Sequence, residues 1–238
     1  MRLGLGLRVV LCAFLGLGLP VHAQHSPVVV ELFTSQGCAA CPPADRLLET
    51  LADREDVIAL ALHVDYWDYI GWTDSFGQAQ FSARQKEYAR ARGSISVFTP
   101  QMVVGGLDKV KGSSQPQVMG AINHHLGLRG SGPRVELTLS GERGKDMQIE
   151  ALAPDGLDFA TDVFVLRYKE SETVEILAGE NAGRTAVYRN IVTSWRKLGT
   201  WDGLGRFQHS VAAEGPEAVV VIVQEQGHGP IVAAARRR

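Results

Sequence analysis

The first strong signal along the chain is an unbroken, β-branched run from Pro27 to Phe33 (PVVVELF), the pattern of a strand buried on both faces. It runs into a turn at Thr34-Ser35-Gln36-Gly37, and the period then changes: from Pro43 to Ala52 the apolar positions Ala44, Leu47, Leu48 and Leu51 recur at helical spacing. Val57 to Val64 (VIALALHV) reads as a second buried strand, so the order strand, helix, strand predicts parallel pairing through a right-handed crossover. An aromatic stretch from Tyr66 to Trp72 precedes a polar helix expected over Ser75 to Arg92, with Phe76, Phe81 and Tyr88 available to cover the core. Val97 to Val104 (VFTPQMVV) reads as a strand interrupted by Pro100, and Gly105-Gly106 as a hairpin turn before a short strand over Leu107 to Val110. A helix over Pro116 to Leu126 closes the series.

Residues 127–133 turn to Gly, Ser and Pro, the composition of a linker, and set the expected domain boundary. Beyond it, alternating segments at 134–139, 147–153, 162–168, 173–177, 185–195, 207–212, 218–224 and 231–235 have the spacing of an all-β sandwich. Trp195 and Trp201 read as sandwich core, and Gly179 to Arg184 as a hairpin turn, since the strand-to-helix setting of a phosphate loop is missing. His124-His125 read as surface residues at a helix end, and Arg236-Arg237-Arg238 as a solvated tail. The expected domains are therefore 24–130 and 131–238.

The first 23 residues alter that picture. Arg2 and Arg8, the apolar run Val9 to Leu19 and the small residues of Val21-His22-Ala23 form an export signal with a cleavage site, so the mature chain is expected to begin at Gln24. The apolar run is short of the roughly 20 residues that span a bilayer, so no stable membrane span is expected after cleavage, and the location is periplasmic or secreted. With 24 Lys and Arg against 26 Asp and Glu, and no basic stripe, nucleic acid is not an expected partner.

Cleavage removes Cys12 and leaves two cysteines, Cys38 and Cys41, in one local motif. A structural disulfide framework closes long loops; this pair closes a tiny one, so stabilisation does not explain it. A C-x-x-C after a buried strand and at the mouth of a helix is a redox signal, because a helix N-terminus favours thiolate. Cys38 would be the exposed nucleophile and Cys41 the resolving thiol, acting through a mixed disulfide. Proline within a strand also needs a reason: a cis bond at Thr99-Pro100 would offer the Thr99 backbone to an extended polypeptide, whereas a trans proline would mark an edge strand.

Together these features resemble thioredoxin over Pro27 to Leu126, which implies an α/β thioredoxin-like domain followed by an all-β sandwich-like domain. The strings VELFTSQGCAACPPAD, HVDYWDYIGW and FTPQMVVGG, with GENAGR and LGTW, also resemble an exported bacterial family catalogued only as a domain of unknown function. The thioredoxin resemblance implies Cys38 and Cys41 as the active dithiol, Pro100 as the cis-proline, and Thr99 as a partner-contacting residue. It also implies Glu31 as a buried acid that moves a proton at the resolving cysteine, against the alternative of a structural hydrogen-bond network. Gly37 replaces thioredoxin's tryptophan, and Pro42-Pro43 displace the helix start toward Cys41, which serves Cys38 less directly.

His63, Asp65, Tyr66, Trp67, Asp68 and Trp72 fall at the carboxyl end of the second strand, where open sheets place their sites. They could line a substrate groove with His63 as a proton carrier, or pack the inserted helix. Three functions follow. One is thiol-disulfide exchange on a cysteine-containing envelope protein or redox partner, with no soluble cofactor. Another is copper(I) or zinc handling by Cys38 and Cys41, with His63 or Met102 as further ligands. The last is a binding module that has lost catalysis and keeps the dithiol as a vestigial disulfide.

Overall fold

The computed structural model describes residues 26–141, 145–212 and 215–238; the export signal and Cys12 lie outside them. Strand β1 (Val28–Thr34) is buried at every position and feeds helix α1 (Pro42–Ala52), whose stripe of Ala44, Leu48 and Leu51 packs on the sheet. Strand β2 (Val57–His63) returns parallel to β1 in the register Val28 to Val57 through Thr34 to His63. A single helical turn at Asp68–Ile70 leads to helix α2 (Ala79–Arg90). Strand β3 (Gln101–Val104) runs antiparallel to β1 and pairs with β4 (Asp108–Lys111), with helix α3 (Gln115–Gly127) behind them. Gly105 and Gly106 close the β3-β4 turn at positive φ, and a side chain at Gly105 would drive into the His125 ring.

The second half holds β5 (Glu136–Ser140), β6 (Met147–Leu152), β7 (Thr161–Ile176), β8 (Arg184–Trp201), β9 (Arg206–Val211), β10 (Ala218–Glu225) and β11 (Ile231–Arg237). The expected α/β thioredoxin-like domain followed by an all-β sandwich-like domain is not what these strands build. β7, β8, β10 and β11 extend the sheet of the first half into one mixed eight-stranded sheet, ordered β11-β10-β7-β8-β2-β1-β3-β4. β8 joins it alongside β2, where the Asn190 side-chain amide donates to the Ala59 carbonyl from a left-handed backbone position. Only β5, β6 and β9 form a separate sheet.

The cause is a choice of edges. Hydrophobic period tells which face of a strand is buried but not which neighbour its backbone pairs with. The core follows the pairing: Val29, Phe33 and Leu62 share one cluster with Tyr168, Val192, Val220 and Ile222. On the opposite face, Val30 and Leu32 pack under α1 and α3. Alternate residues of β7 and β10, among them Val163 and Val221, are covered by the small sheet.

Two smaller expectations also change. Trp195 is not sandwich core but lies over the Arg84 guanidinium at 3.9 Å. The terminal arginines are not a free tail, since β11 runs to Arg237 and Arg238 donates to the Ala52 carbonyl.

Candidate functional site

Cys38 and Cys41 form a disulfide whose Cα atoms are 5.4 Å apart, at the point where β1 ends and α1 begins. The two prolines set the helix start. Cys41 is the N-cap, Pro42 and Pro43 carry no N–H, and the Ala44 and Asp45 amides both bond back to the Cys41 carbonyl. The first turn therefore keeps no free amide for a Cys38 thiolate, which is left with the helix dipole alone.

The exposed nucleophile expected at Cys38 is not present in this state. Cys38 is 1% exposed and Cys41 0%, while Ala39 and Ala40 between them face solvent. The cover comes from the far half of the chain. The turn between β7 and β8 folds over the dithiol loop, and the Asn181 side-chain amide donates to the carbonyls of Gln36 (2.8 Å) and Cys38 (3.0 Å). Trp72 supports the same loop through its indole N–H on Gln36 Oε1 at 2.8 Å, and Gly179, at positive φ, sits close against Trp72.

Thr99-Pro100 is a cis peptide bond, and the antiparallel register of β1 with β3 sets it alongside the end of β1, where the dithiol loop begins. The Thr99 hydroxyl accepts the Trp67 indole N–H at 2.7 Å, so Trp67 braces this segment. Tyr66 donates to Gln85 of α2 and Asp65 accepts from Ser82, so these two pack the inserted helix rather than line a groove. Burial raises the Tyr66 phenol to about 12, against its hydrogen bonds with Gln85 and Thr99. Trp67 stacks on Tyr69, which is exposed.

Glu31 is the clearest correction. Side chains alternate along a strand, so Glu31 points with Val29 and Phe33 toward α2, while Val30, Leu32 and Thr34 point toward α1 and the cysteines. Arg84 meets the Glu31 carboxylate through Nε at 2.6 Å and Nη2 at 3.2 Å, and Tyr88 donates its hydroxyl to the same carboxylate. This acid is a fully partnered structural anchor on the wrong face to serve Cys41. Arg84 stays charged because Glu31 offsets the burial that would otherwise lower it.

The acid on the correct face is Asp45, one helical turn after Cys41 in CAACPPAD. It is half-buried, accepts a hydrogen bond from Thr34 at 2.8 Å, and is raised to about 6 chiefly by burial, with His63 and Thr34 pulling the other way. His63 is wholly buried and sits 2.8 Å from Asp74 through Nδ1, with no partner for Nε2. Burial pushes the Asp74 carboxyl up, but His63 and the amides of Gln36 (2.7 Å) and Phe76 (2.9 Å) outweigh it and hold the group below the usual carboxylate range. Beside this cluster a groove of about 420 Å³ opens between α1 and the start of β8, lined by Asp45, Glu49, Asn181, Arg184 and Tyr188. Spacing from Cys41 could have flagged Asp45; no local signal marks Asp74, Asn181 or Tyr188, which arrive by tertiary contact.

The raised Asp45 predicts a pH effect of definite sign. Below pH 3.8 the carboxyl is neutral folded or unfolded, and its protonated form is favoured in the fold; that contribution is lost as pH rises through about 6. The full shift corresponds to about 3 kcal/mol, which the solvent side of the groove cuts to about 1–2 kcal/mol. Asp45→Asn keeps an acceptor for Thr34 and is expected to be more stable than wild type at pH 8 but not at pH 3.5, measured by urea unfolding. Equal stability differences at the two pH values would overturn this.

The family described as "Protein of unknown function (DUF1223)" matches residues 29–224 of the chain. A crystal structure of a protein from Agrobacterium tumefaciens, determined by a structural genomics consortium, is 32% identical, with 90% of this chain and 95% of that chain aligned and a TM-score of 0.75. None of the curated proteins matches.

Proposed function

The chain belongs to the DUF1223 family of proteins of unknown function, and from its site we propose an exported thiol-disulfide exchange protein that acts on cysteines of a partner protein behind a hairpin cover. One observation carries the reading: Cys38 and Cys41 are bonded to each other across two residues at a helix start, with Asp45, whose proton affinity burial raises, one turn further on the same helix face. A partner thiolate would attack Cys38, break the bond to Cys41 and leave a mixed disulfide, which Cys41 resolves by the reverse attack. Since both sulfurs are covered, the turn bearing Asn181 has to lift first.

Metal handling has less to stand on. Among the described residues no group of three or more His, Cys, Asp or Glu is placed to hold an ion, and Met102 lies in the core under α1 and α3. A non-catalytic binding module is favoured by one fact, the burial of the disulfide, and the test separates it from exchange. Cys41→Ser is expected to strand a cysteine-bearing partner on Cys38 as an adduct released by dithiothreitol and absent from the Cys38→Ser/Cys41→Ser double variant. No adduct, together with no reversible two-electron couple in a glutathione redox titration of the wild type, would replace exchange with the binding module.

A further inference from the structure

The polar cluster beneath α1 does something the hydrogen-bond network of Glu31 does not: it leaves a buried, unpartnered nitrogen beside an acid. β1 and β2 are parallel, and Thr34 and His63 are direct partners in their ladder, so both side chains project on the α1 face about 5 Å apart. Thr34 donates to the Asp45 carboxylate at 2.8 Å, which holds that carboxylate on the face that Thr34 shares with His63. Asp74 accepts from two backbone amides besides His63, which keeps it ionised and orients the ring so that Nδ1 carries a hydrogen toward it. The opposite ring nitrogen, Nε2, is buried with no hydrogen-bond partner, a costly arrangement for a histidine whose role is only structural.

We infer that Asp45, backed by the His63-Asp74 pair, hands a proton to the Cys41 sulfur when the disulfide opens and takes it back when the disulfide closes. The inference rests on the exchange reading above. Cys41 has helical geometry at the N-cap, so Cys41 and Asp45 occupy the same inward stripe of α1, and the Asp45 amide bonds the Cys41 carbonyl at 3.1 Å. When a partner thiolate attacks Cys38, the electron pair of the broken bond leaves on Cys41 and the proton of Asp45 neutralises it. In the reverse step Asp45 removes the Cys41 proton, the thiolate attacks Cys38, and the partner leaves as thiolate. One disulfide is consumed and one formed, with no outside oxidant.

A carboxyl poised at about 6 can both give and accept at neutral pH, which is what a two-way step requires. The charged and titratable groups around it are His63 on β2, Asp74 in the loop before α2, Arg46 and Glu49 on α1, and Arg184 and Tyr188 on β8. Tyr188 stands edge-on to His63 with ring centroids 4.9 Å apart and closes the groove wall, so protons reach solvent past Asp45.

The test isolates the closing step. Reduced protein is converted to the mixed disulfide of Cys38 with oxidised glutathione at pH 4.5, freed of excess reagent, and then jumped to pH values from 5 to 8 while release of the second glutathione is timed. In the wild type the rate is expected to step up near pH 6. In Asp45→Asn the step is expected to vanish and closure at pH 7 to slow by about a hundredfold, with partial recovery in Asp45→Glu. Closure of Asp45→Asn at the wild-type rate and pH profile would overturn the inference and leave exchange standing. A wild type that forms no mixed disulfide would remove the exchange reading itself. Should Asp45→Asn not fold, the Asp45 carboxyl carbon followed by NMR in the wild type serves instead. An apparent pKa that moves between the oxidised and reduced proteins supports the inference, and one that stays put overturns it.

Discussion

Arg84→Ala is expected to destabilise the fold by about 3–5 kcal/mol, the range for removing one partner of a buried ion pair, a large part of the 5–15 kcal/mol that holds a typical domain together. Glu31 is 0% exposed, and its two bonds to Arg84 are the main compensation for burying its charge. Arg84 also donates to the Tyr88 hydroxyl at 2.8 Å and to Gln224 Oε1 at 3.0 Å, and Gln224 donates to Tyr88 in turn. The substitution strips α2 from β1 and β10 together, so the loss falls on the contact between the two halves of the chain. Replacing both partners at once, as Glu31→Leu with Arg84→Met, is expected to cost markedly less, because no charge is left unpaired in the core. Urea unfolding of the single and double variants measures both. A single-variant loss below about 1 kcal/mol would mean that the pair carries no more than an exposed one. Because Glu31 faces away from α1, the double variant is also expected to keep the wild-type rate of disulfide exchange per folded molecule, in contrast with Asp45→Asn.

The second large effect concerns access. Asn181→Ala removes the two hydrogen bonds that hold the β7-β8 turn on the carbonyls of Gln36 and Cys38. At about 1 kcal/mol each, their loss favours the open turn by a factor of about ten to thirty. The rate at which dithiothreitol reduces Cys38–Cys41 in the folded protein is expected to rise by that factor. Part of the cost is already offset in the wild type, since Asn181 Oδ1 is buried without a partner, so the variant should lose little overall stability. An unchanged reduction rate, with the turn shown by hydrogen exchange to be loosened, would place the barrier elsewhere, in the dithiol loop that Trp72 braces. A rate matching global unfolding in both proteins would mean that the disulfide opens only when the whole fold does, and would count against exchange as a function.

Much of the candidate site lies within reach of sequence reasoning. The dithiol between a buried strand and a proline-started helix, Thr99-Pro100 at the head of another strand, and the turn at 179–184 all depend on neighbours a few residues away, where turn chemistry and apolar period act directly. Even Asp45 was accessible, because one helical turn from Cys41 is a local relation. Glu31 takes the structural one of its two readings for a reason of the same scale: a shift of one residue along a strand turns a side chain to the opposite face, so an offset changed by one moves an acid from the cysteines to α2.

What the sequence determined by itself is which segments are strands or helices, which of their positions are apolar, and that Cys38 and Cys41 are the one close pair among its three cysteines. Tertiary structure decided that β7, β8, β10 and β11 extend the first sheet beyond β2, that Asn181 travels some 140 positions to cover Cys38, and that Arg84, Tyr88 and Gln224 converge on Glu31. The reason is physical. Backbone edges are chemically alike, so period and composition leave their pairing open, and only the simultaneous burial of every apolar face and satisfaction of every buried polar group selects one arrangement.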